Sequence, residues 1–143
     1  MIVLDASIFA KLFREEDDTD AVDALIVDVA THRIPLIAPK LLVYEALSIG
    51  LRHAVPFQSI LDLLENLNTL GLKLVDCEAQ ELLQAEEIAT SGDKSLGYPD
   101  LADSIYHALA ISRGGTFVTA DSRHYRKAAR FGHIVLLSDW KPA

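Results

Sequence analysis

The sequence predicts an α/β fold with a parallel sheet covered by helices. Three observations lead there. Short apolar runs of three or four residues recur along the chain, stretches with apolar residues at helical spacing separate them, and glycines or prolines mark many of the joins. A run that is apolar at every position suits a strand buried on both faces, which is what helices packed on either side of a parallel sheet produce.

The first strand is Ile2-Val3-Leu4, which delivers Asp5 to its carboxyl end, where the chain turns into a helix. Parallel α/β sheets place ligands at that edge. Residues 7–14 carry Ile8, Phe9, Leu12 and Phe13 at helical spacing, with Ser7 as a candidate cap. The run Glu15-Glu16-Asp17-Asp18-Thr19-Asp20 enters a second helix, where negative charge suits the macrodipole. It reads first as a solvated turn and cap, with a metal or basic-partner site as the sharper alternative. Val22, Leu25, Ile26 and Val29 carry that helix to about residue 31.

The second strand, residues 35–39, is bracketed by Pro35 and Pro39. Residues 40–53 read as a helix with Leu41, Leu42, Tyr44, Leu47 and Leu51 as its apolar side and Glu45 within it. Pro56 suits the first turn of the next helix, which runs through Ile60, Leu63, Leu64 and Leu67 until Gly71 ends it. Leu72-Lys73-Leu74-Val75 is a third strand. A helix over residues 79–90 presents Leu82, Leu83, Ala85 and Ile88, and residues 91–97 form a loop.

Pro99 starts a helix that reaches about residue 112 and carries Asp100, Asp103, Tyr106, His107 and Leu109. Gly114-Gly115 breaks it. Thr116-Phe117-Val118 is a strand ending at Thr119-Ala120-Asp121, a basic helical stretch covers residues 123–130, and Ile134-Val135-Leu136-Leu137 is the last strand.

The totals narrow the function. At 143 residues the chain is expected to be one domain, residues 1–143, with half of its residues apolar. Its net charge of −8 is wrong for a nonspecific nucleic-acid binder, so such a role requires a local basic patch or a metal. The lone Cys77 makes no internal disulfide, which points to an intracellular compartment. The start of the chain lacks the basic region of a signal peptide, and Pro35, Pro39, Lys40 and Glu45 rule out a spanning helix in the apolar stretch 34–51. The expectation is a soluble, cytoplasmic protein with no membrane partner.

Four carboxylates occupy comparable positions. Asp5 and Asp121 end strands, Asp103 lies near a helix start, and Glu45 sits on a leucine-rich helix. In a parallel sheet these places converge at one edge. Carboxylates gathered there raise one another's pKa and cannot all stay ionised without compensation. A divalent cation supplies it, and Mg²⁺ or Mn²⁺ prefers oxygen ligands. Taken singly each has a plainer account: Asp5 and Asp121 as helix starts, Glu45 as an exposed helix residue or ion-pair partner, and Asp103 as an exposed residue. The case rests on their joint placement.

The stretches around them resemble a known family. Ile2-Val3-Leu4-Asp5-Ala6-Ser7, Leu42-Val43-Tyr44-Glu45-Ala46-Leu47, Asp103-Ser104-Ile105-Tyr106-His107-Ala108-Leu109-Ala110 and Phe117-Val118-Thr119-Ala120-Asp121 are similar, in order, to the motifs of PIN-domain ribonucleases. More narrowly, the chain resembles the VapC-type toxins of toxin–antitoxin pairs. The resemblance implies a three-layer α/β/α sandwich with a mostly parallel sheet, and Mg²⁺ or Mn²⁺ held by Asp5, Glu45, Asp103 and Asp121. It also implies Ser7 and Thr119 as small hydroxyl residues beside the site, an RNA substrate, a small cognate antitoxin as partner, and a homodimer. Asp100, three residues before Asp103 on the same helix face, is either an extra ligand or a helix-start residue favoured by the dipole.

Metal chemistry then sets the expected reaction. Metal ions activate a water for in-line attack on a phosphodiester and neutralise the charge that builds on its oxygens. Asp103 or Glu45 orients or deprotonates that water. Arg123, Arg126, Lys127 and Arg130 form either a phosphate-contacting strip, an ordinary solvated helix face, or a seat for an acidic antitoxin tail. His107, four residues after Asp103 on the same face, reads as a core or surface histidine ahead of a catalytic one, and Trp140 as packing ahead of a base-stacking platform. Two rivals stay open: a catalytically silent PIN-fold protein-binding module, with a groove built from Phe9, Leu12, Phe13 and Leu51, and an aspartyl-phosphate receiver domain. The second lacks the acidic pair usual at the end of the first strand, since Ala6 and Ser7 follow Asp5. Neither Gly-x-Gly-x-x-Gly nor Gly-x-x-x-x-Gly-Lys occurs, which argues against nucleotide cofactors.

Overall fold

A computed structural model describes residues 1–14 and 17–143. Five strands form one sheet: β1 (Ile2–Leu4), β2 (Leu36–Pro39), β3 (Leu72–Val75), β4 (Thr116–Thr119) and β5 (Ile134–Leu136). Their order is β3-β2-β1-β4-β5, and every neighbouring pair is parallel. The sheet is therefore wholly rather than mostly parallel. Side chains alternate between the two faces of a strand, yet all three residues of β1 and all four of β2 are buried. Helices must then cover both faces, which makes the α/β/α sandwich.

The described helices are α1 (Ala6–Ala10), α2 (Thr19–His32), α3 (Leu41–Arg52), α4 (Phe57–Thr69), α5 (Ala79–Ala89), α6 (Leu101–Ser112) and α7 (Ser122–Ala128). The chain lays down β1, β2 and β3 outward in one direction, then returns to place β4 against the free side of β1. The crevice between the carboxyl ends of β1 and β4 is thus a topological switch point, where open α/β sheets bind ligands. No helix among the described residues is long and apolar enough to cross a membrane.

Several local expectations give way to packing. Ser7 does not cap α1; Asp5 does, accepting from the Ile8 N–H at 3.1 Å. That helix ends at Ala10, and residues 11–14 are turns and a bend. Glu15 and Glu16 of the acidic run lie outside the described residues, while Asp18 pairs with Lys11 Nζ at 2.7 Å. On α3 the inward stripe is Leu42, Ala46 and Gly50, which leaves Tyr44 and Leu51 each 71% exposed. Gly50 sets this register, because a Cβ there would meet Ile60 Cδ1 of α4 at 2.3 Å.

On α5 the side chains facing inward are Glu81, Ala85 and Ile88, with Leu82 and Leu83 outside. The reason is an ion pair, Arg113 Nε to Glu81 Oε1 at 2.8 Å, that fixes the rotation of α5 against the end of α6. Helix α6 starts at Leu101 behind an Asp100 cap, not at Pro99. The last strand stops at Leu136, and Leu137 opens a 3₁₀ turn. The groove proposed around Phe9 is absent: Phe9 is buried, Leu12 and Phe13 pack against the core, and Leu51 points outward. Trp140 also packs against the core.

Candidate active site

Strand register brings the first two carboxylates together. Leu4 of β1 pairs with Val118 of β4, so Asp5 and Thr119, one residue on, stand side by side at the carboxyl edge. Thr119 Oγ1 donates to Asp5 Oδ2 at 2.6 Å and accepts from the Asp121 N–H at 3.0 Å. Ser7 Oγ donates to Asp5 Oδ1 at 2.5 Å and accepts from the Ala120 N–H at 3.2 Å. Each hydroxyl has a single proton, and both protons are committed to Asp5. Two parallel relays therefore lock the turn after β4 to the carboxylate after β1. Thr119 is fully buried and Asp5 is 2% exposed, so these bonds hold the carboxylate in a setting that would otherwise reject it.

Asp121 caps α7 through one oxygen, Oδ1, which accepts from the Arg123 and His124 N–H groups at 2.8 and 3.2 Å. Asp103 lies in the first turn of α6, the helix that feeds β4 and so begins at the carboxyl edge of the sheet. Glu45 comes from the first half of α3, which starts at the end of β2. Its Oε1 accepts from the buried Tyr106 hydroxyl at 2.6 Å, and the Tyr106 ring stacks on Phe117 at 5.9 Å.

Asp5, Glu45, Asp103 and Asp121 line one cleft of about 180 Å³, with Ser7 on its wall. Asp100 caps α6 by accepting from the Ala102 N–H at 2.8 Å and lies on an adjoining cleft that Asp103 and Asp121 share. A larger cleft, about 490 Å³, is elsewhere, among residues such as Val43, Leu61 and Leu72, and Glu65 is its only charged lining residue. Chemistry rather than volume therefore marks the site.

The electrostatics follow from crowding. Burial pushes the Asp5 carboxyl up, against the lowering effect of its bonds from Ser7, Thr119 and the Ile8 N–H. Glu45 is raised, chiefly by burial and then by Asp5 and Asp100, against the Tyr106 hydrogen bond. Asp103 is pushed up to about 8 by burial and by the negative field of Asp5, Asp121, Asp100 and Glu45. Among the described residues none of Asp5, Glu45, Asp103 and Asp121 forms an ion pair. No three His, Cys, Asp or Glu side chains among them are drawn together as a ready coordination shell. An all-oxygen set with uncompensated charge and open space suits a hydrated divalent cation, since Mg²⁺ takes one or two carboxylates directly and keeps several waters.

Two further residues belong to the setting. Tyr106 is one, and helical spacing carries no sign of a hydroxyl that reaches across to Glu45. Arg52 lines a cleft next to Glu45, and its place seven residues on, two turns along the same face of α3, was a usable signal. His107 is buried as a packing residue. The Gly132 carbonyl can only accept, so the His107 Nε2–H donates to it at 2.6 Å; His107 Nδ1 then accepts from His124 Nε2 at 3.2 Å. Burial lowers both rings, His124 to about 4, and both are neutral near pH 7. The basic helix divides in two. Arg123, Arg126 and Lys127 line clefts, whereas Arg130 donates to the Lys127 and Ser91 carbonyls and lies over Phe131.

Comparison with known structures places this fold. PAE2754 of Pyrobaculum aerophilum superposes with a TM-score of 0.63 at 20% identity, over 96% of this chain and 89% of its own. VapBC2 of Rickettsia felis, solved bound to a DNA fragment from its promoter, gives 0.69 at 17% identity, over 95% and 97%. VapC20 of Mycobacterium tuberculosis, a toxin that cleaves the sarcin–ricin loop, gives 0.63 at 14% identity, over 80% and 84%. No curated protein matches the sequence. The model of the PIN domain matches residues 2–130, nearly the whole chain and every carboxylate of the cleft, and the chain belongs to the PIN domain family.

Proposed function

We propose that residues 1–143 act as one metal-dependent endoribonuclease domain, the toxin of a VapBC-type toxin–antitoxin pair, held in check by a cognate antitoxin and working as a homodimer in the cytoplasm. The observation that carries the catalytic part is that Asp5, Glu45, Asp103 and Asp121 line one cleft at the switch point of the sheet, with no basic side chain among the described residues paired to them. The fold shared with VapBC2 and VapC20 supports the toxin part.

Asp5, Glu45, Asp103 and Asp121 would hold Mg²⁺ or Mn²⁺, with Asp100 at the margin. Bound there, the ion supplies Lewis acidity and offsets the charge that develops on the phosphate. Ser7 and Thr119 keep Asp5 in one rotamer by donating to both of its oxygens. Tyr106 holds Glu45 by one oxygen, and Glu45 lines the cleft. Asp103 or Glu45 orients the attacking water and takes its proton. The water oxygen bonds to phosphorus, and the P–O bond to the leaving ribose breaks as that oxygen gains a proton from solvent water.

The test is cleavage of structured RNAs by the partner-free protein with Mg²⁺ or Mn²⁺, beside EDTA and an Asp5→Asn/Asp103→Asn double variant. Metal-dependent cutting that the folded variant lacks is the expected result. RNAs that all survive, or a variant that cuts equally well, would leave protein binding as the function of this fold.

A further inference from the structure

We propose that the carboxylate cleft is the middle of a continuous trough that holds one RNA strand on both sides of the cleaved bond, with arginines at either end. The inference rests on the nuclease reading and says how the substrate lies. On one side the carboxylate cleft shares Ala6, Glu45 and Ile49 with a cleft of about 250 Å³ that Arg52 completes. On the other side it shares Asp103 and Asp121 with a second cleft of about 180 Å³. That one shares Arg123 and Lys127 with a further cleft of about 360 Å³, walled by Ser95, Leu96 and Arg126. The sequence of walls is cationic, anionic, cationic. A phosphodiester chain is repelled by the middle except at the one phosphate whose charge is offset there, and is drawn by both ends.

The ends are free to act. Arg52, Arg123 and Arg126 are exposed, and among the described residues none of them forms an ion pair. The far wall is already built. Asp93 Oδ1 accepts from the Ser95 N–H, the Ser95 hydroxyl and the Leu96 N–H at 2.8, 2.7 and 2.7 Å, and the Gly97 N–H returns to the Asp93 carbonyl at 2.8 Å. Lys127 Nζ donates to the Tyr98 carbonyl at 3.2 Å and Arg130 to that of Ser91, so this loop is tied to α7 before any ligand arrives. Arg130 is thereby assigned to the loop and not to phosphate. The compartments, of about 180 to 360 Å³, lie around the lower end of small-ligand sites, about 300 Å³, a scale that suits one nucleotide each. A trough that continues past the carboxylates in both directions takes internal bonds of an unpaired strand.

The test uses the Asp5→Asn/Asp103→Asn protein, so that binding is read without cleavage. Affinity for a fluorescent single-stranded oligoribonucleotide is measured at several salt concentrations in that background and with Arg52→Ala, Arg126→Ala or both added, after melting curves verify the fold. Each arginine change should reduce the slope of log K against log salt by about 0.7, and the pair by about 1.4. A duplex of the same sequence should compete poorly. In parallel, the active protein with Mg²⁺ should open a circular RNA. An unchanged slope for Arg52→Ala or for Arg126→Ala overturns the trough, as does equal binding of the duplex. Slopes that fall while no RNA is ever cut keep the trough and reject the nuclease, and the reverse pattern does the opposite.

Discussion

Tyr106 shows how much one hydroxyl does. It is fully buried, stacks on Phe117, and spends its proton on Glu45. Tyr106→Phe keeps the ring and removes only the donor, so the core should survive with a loss of about 1 kcal/mol in a chemical melt. Cleavage should fall about tenfold in kcat with KM nearly unchanged, because a Glu45 free to rotate is a worse ligand and base. A variant with full kcat would show that the bond is merely structural. Thr119→Val tests the other relay. It leaves a buried Asp5 oxygen without its donor and is expected to cost about 1–3 kcal/mol, read as a lower midpoint in urea. Asp5 was legible in the sequence as the residue after an apolar strand. Its two hydroxyl partners were matched only by family likeness, since nothing in local spacing says that residue 119 ends beside residue 5. Strand order decides that, and strand order is a long-range fact.

At the scale of elements, the strands were nearly all legible and the helix faces were not. An all-apolar run reads as buried on both sides, and β1 and β2 fall where that pattern puts them, whereas the equally apolar β5 is only half-buried because it lies at the edge of the sheet. A helix has a choice of stripe, and in α3 and α5 two specific contacts made it. Gly50 admits Ile60, and Glu81 swings inward to meet Arg113. The pattern of leucines alone ranked Leu51, Leu82 and Leu83 above a glycine and a glutamate. The Glu81 carboxyl is 3% exposed. Burial acts to raise it, but the bonds from Arg113 and the Glu78 N–H hold it below the usual glutamate range. Its contribution to stability is therefore present above the unfolded value and is lost as pH falls through the folded one. Arg113→Ala should cost roughly 2–3 kcal/mol at pH 7, below the usual loss for a broken buried pair because Arg113 is partly open to water. The deficit should shrink at pH 4, as a melt at both pH values would reveal; an equal deficit would mean that the charge is not the cause.

Across the whole molecule the carboxylate edge sets a conflict between stability and function. The fold brings Asp5, Glu45 and Asp103 into burial and mutual repulsion, and all three carboxyls are raised. A group whose folded pKa lies above its unfolded value binds its proton more tightly in the folded state. The metal-free protein should then lose stability as pH rises from the ordinary aspartate range toward about 8, the value for Asp103. The slope is at most about 1.4 kcal/mol per pH unit for each proton involved. Mg²⁺ or Mn²⁺ that binds the folded carboxylates reverses this, because it favours the ionised form. At a hundred times its Kd an ion adds about 2.7 kcal/mol. The expected outcome is a Tm in EDTA that falls between pH 5 and pH 8, and a gain on adding Mg²⁺ that is several-fold larger at pH 8 than at pH 5. Asp103→Asn removes a strongly raised carboxyl, so at pH 8 in EDTA it should be more stable than the parent by about 2 kcal/mol, a value discounted because water reaches part of the side chain. It should also lose most of the Mg²⁺ response. A parent protein whose Tm in EDTA is flat across this range would mean that these carboxylates are not in conflict when empty, and the electrostatic argument for a cation at this edge would fall with it.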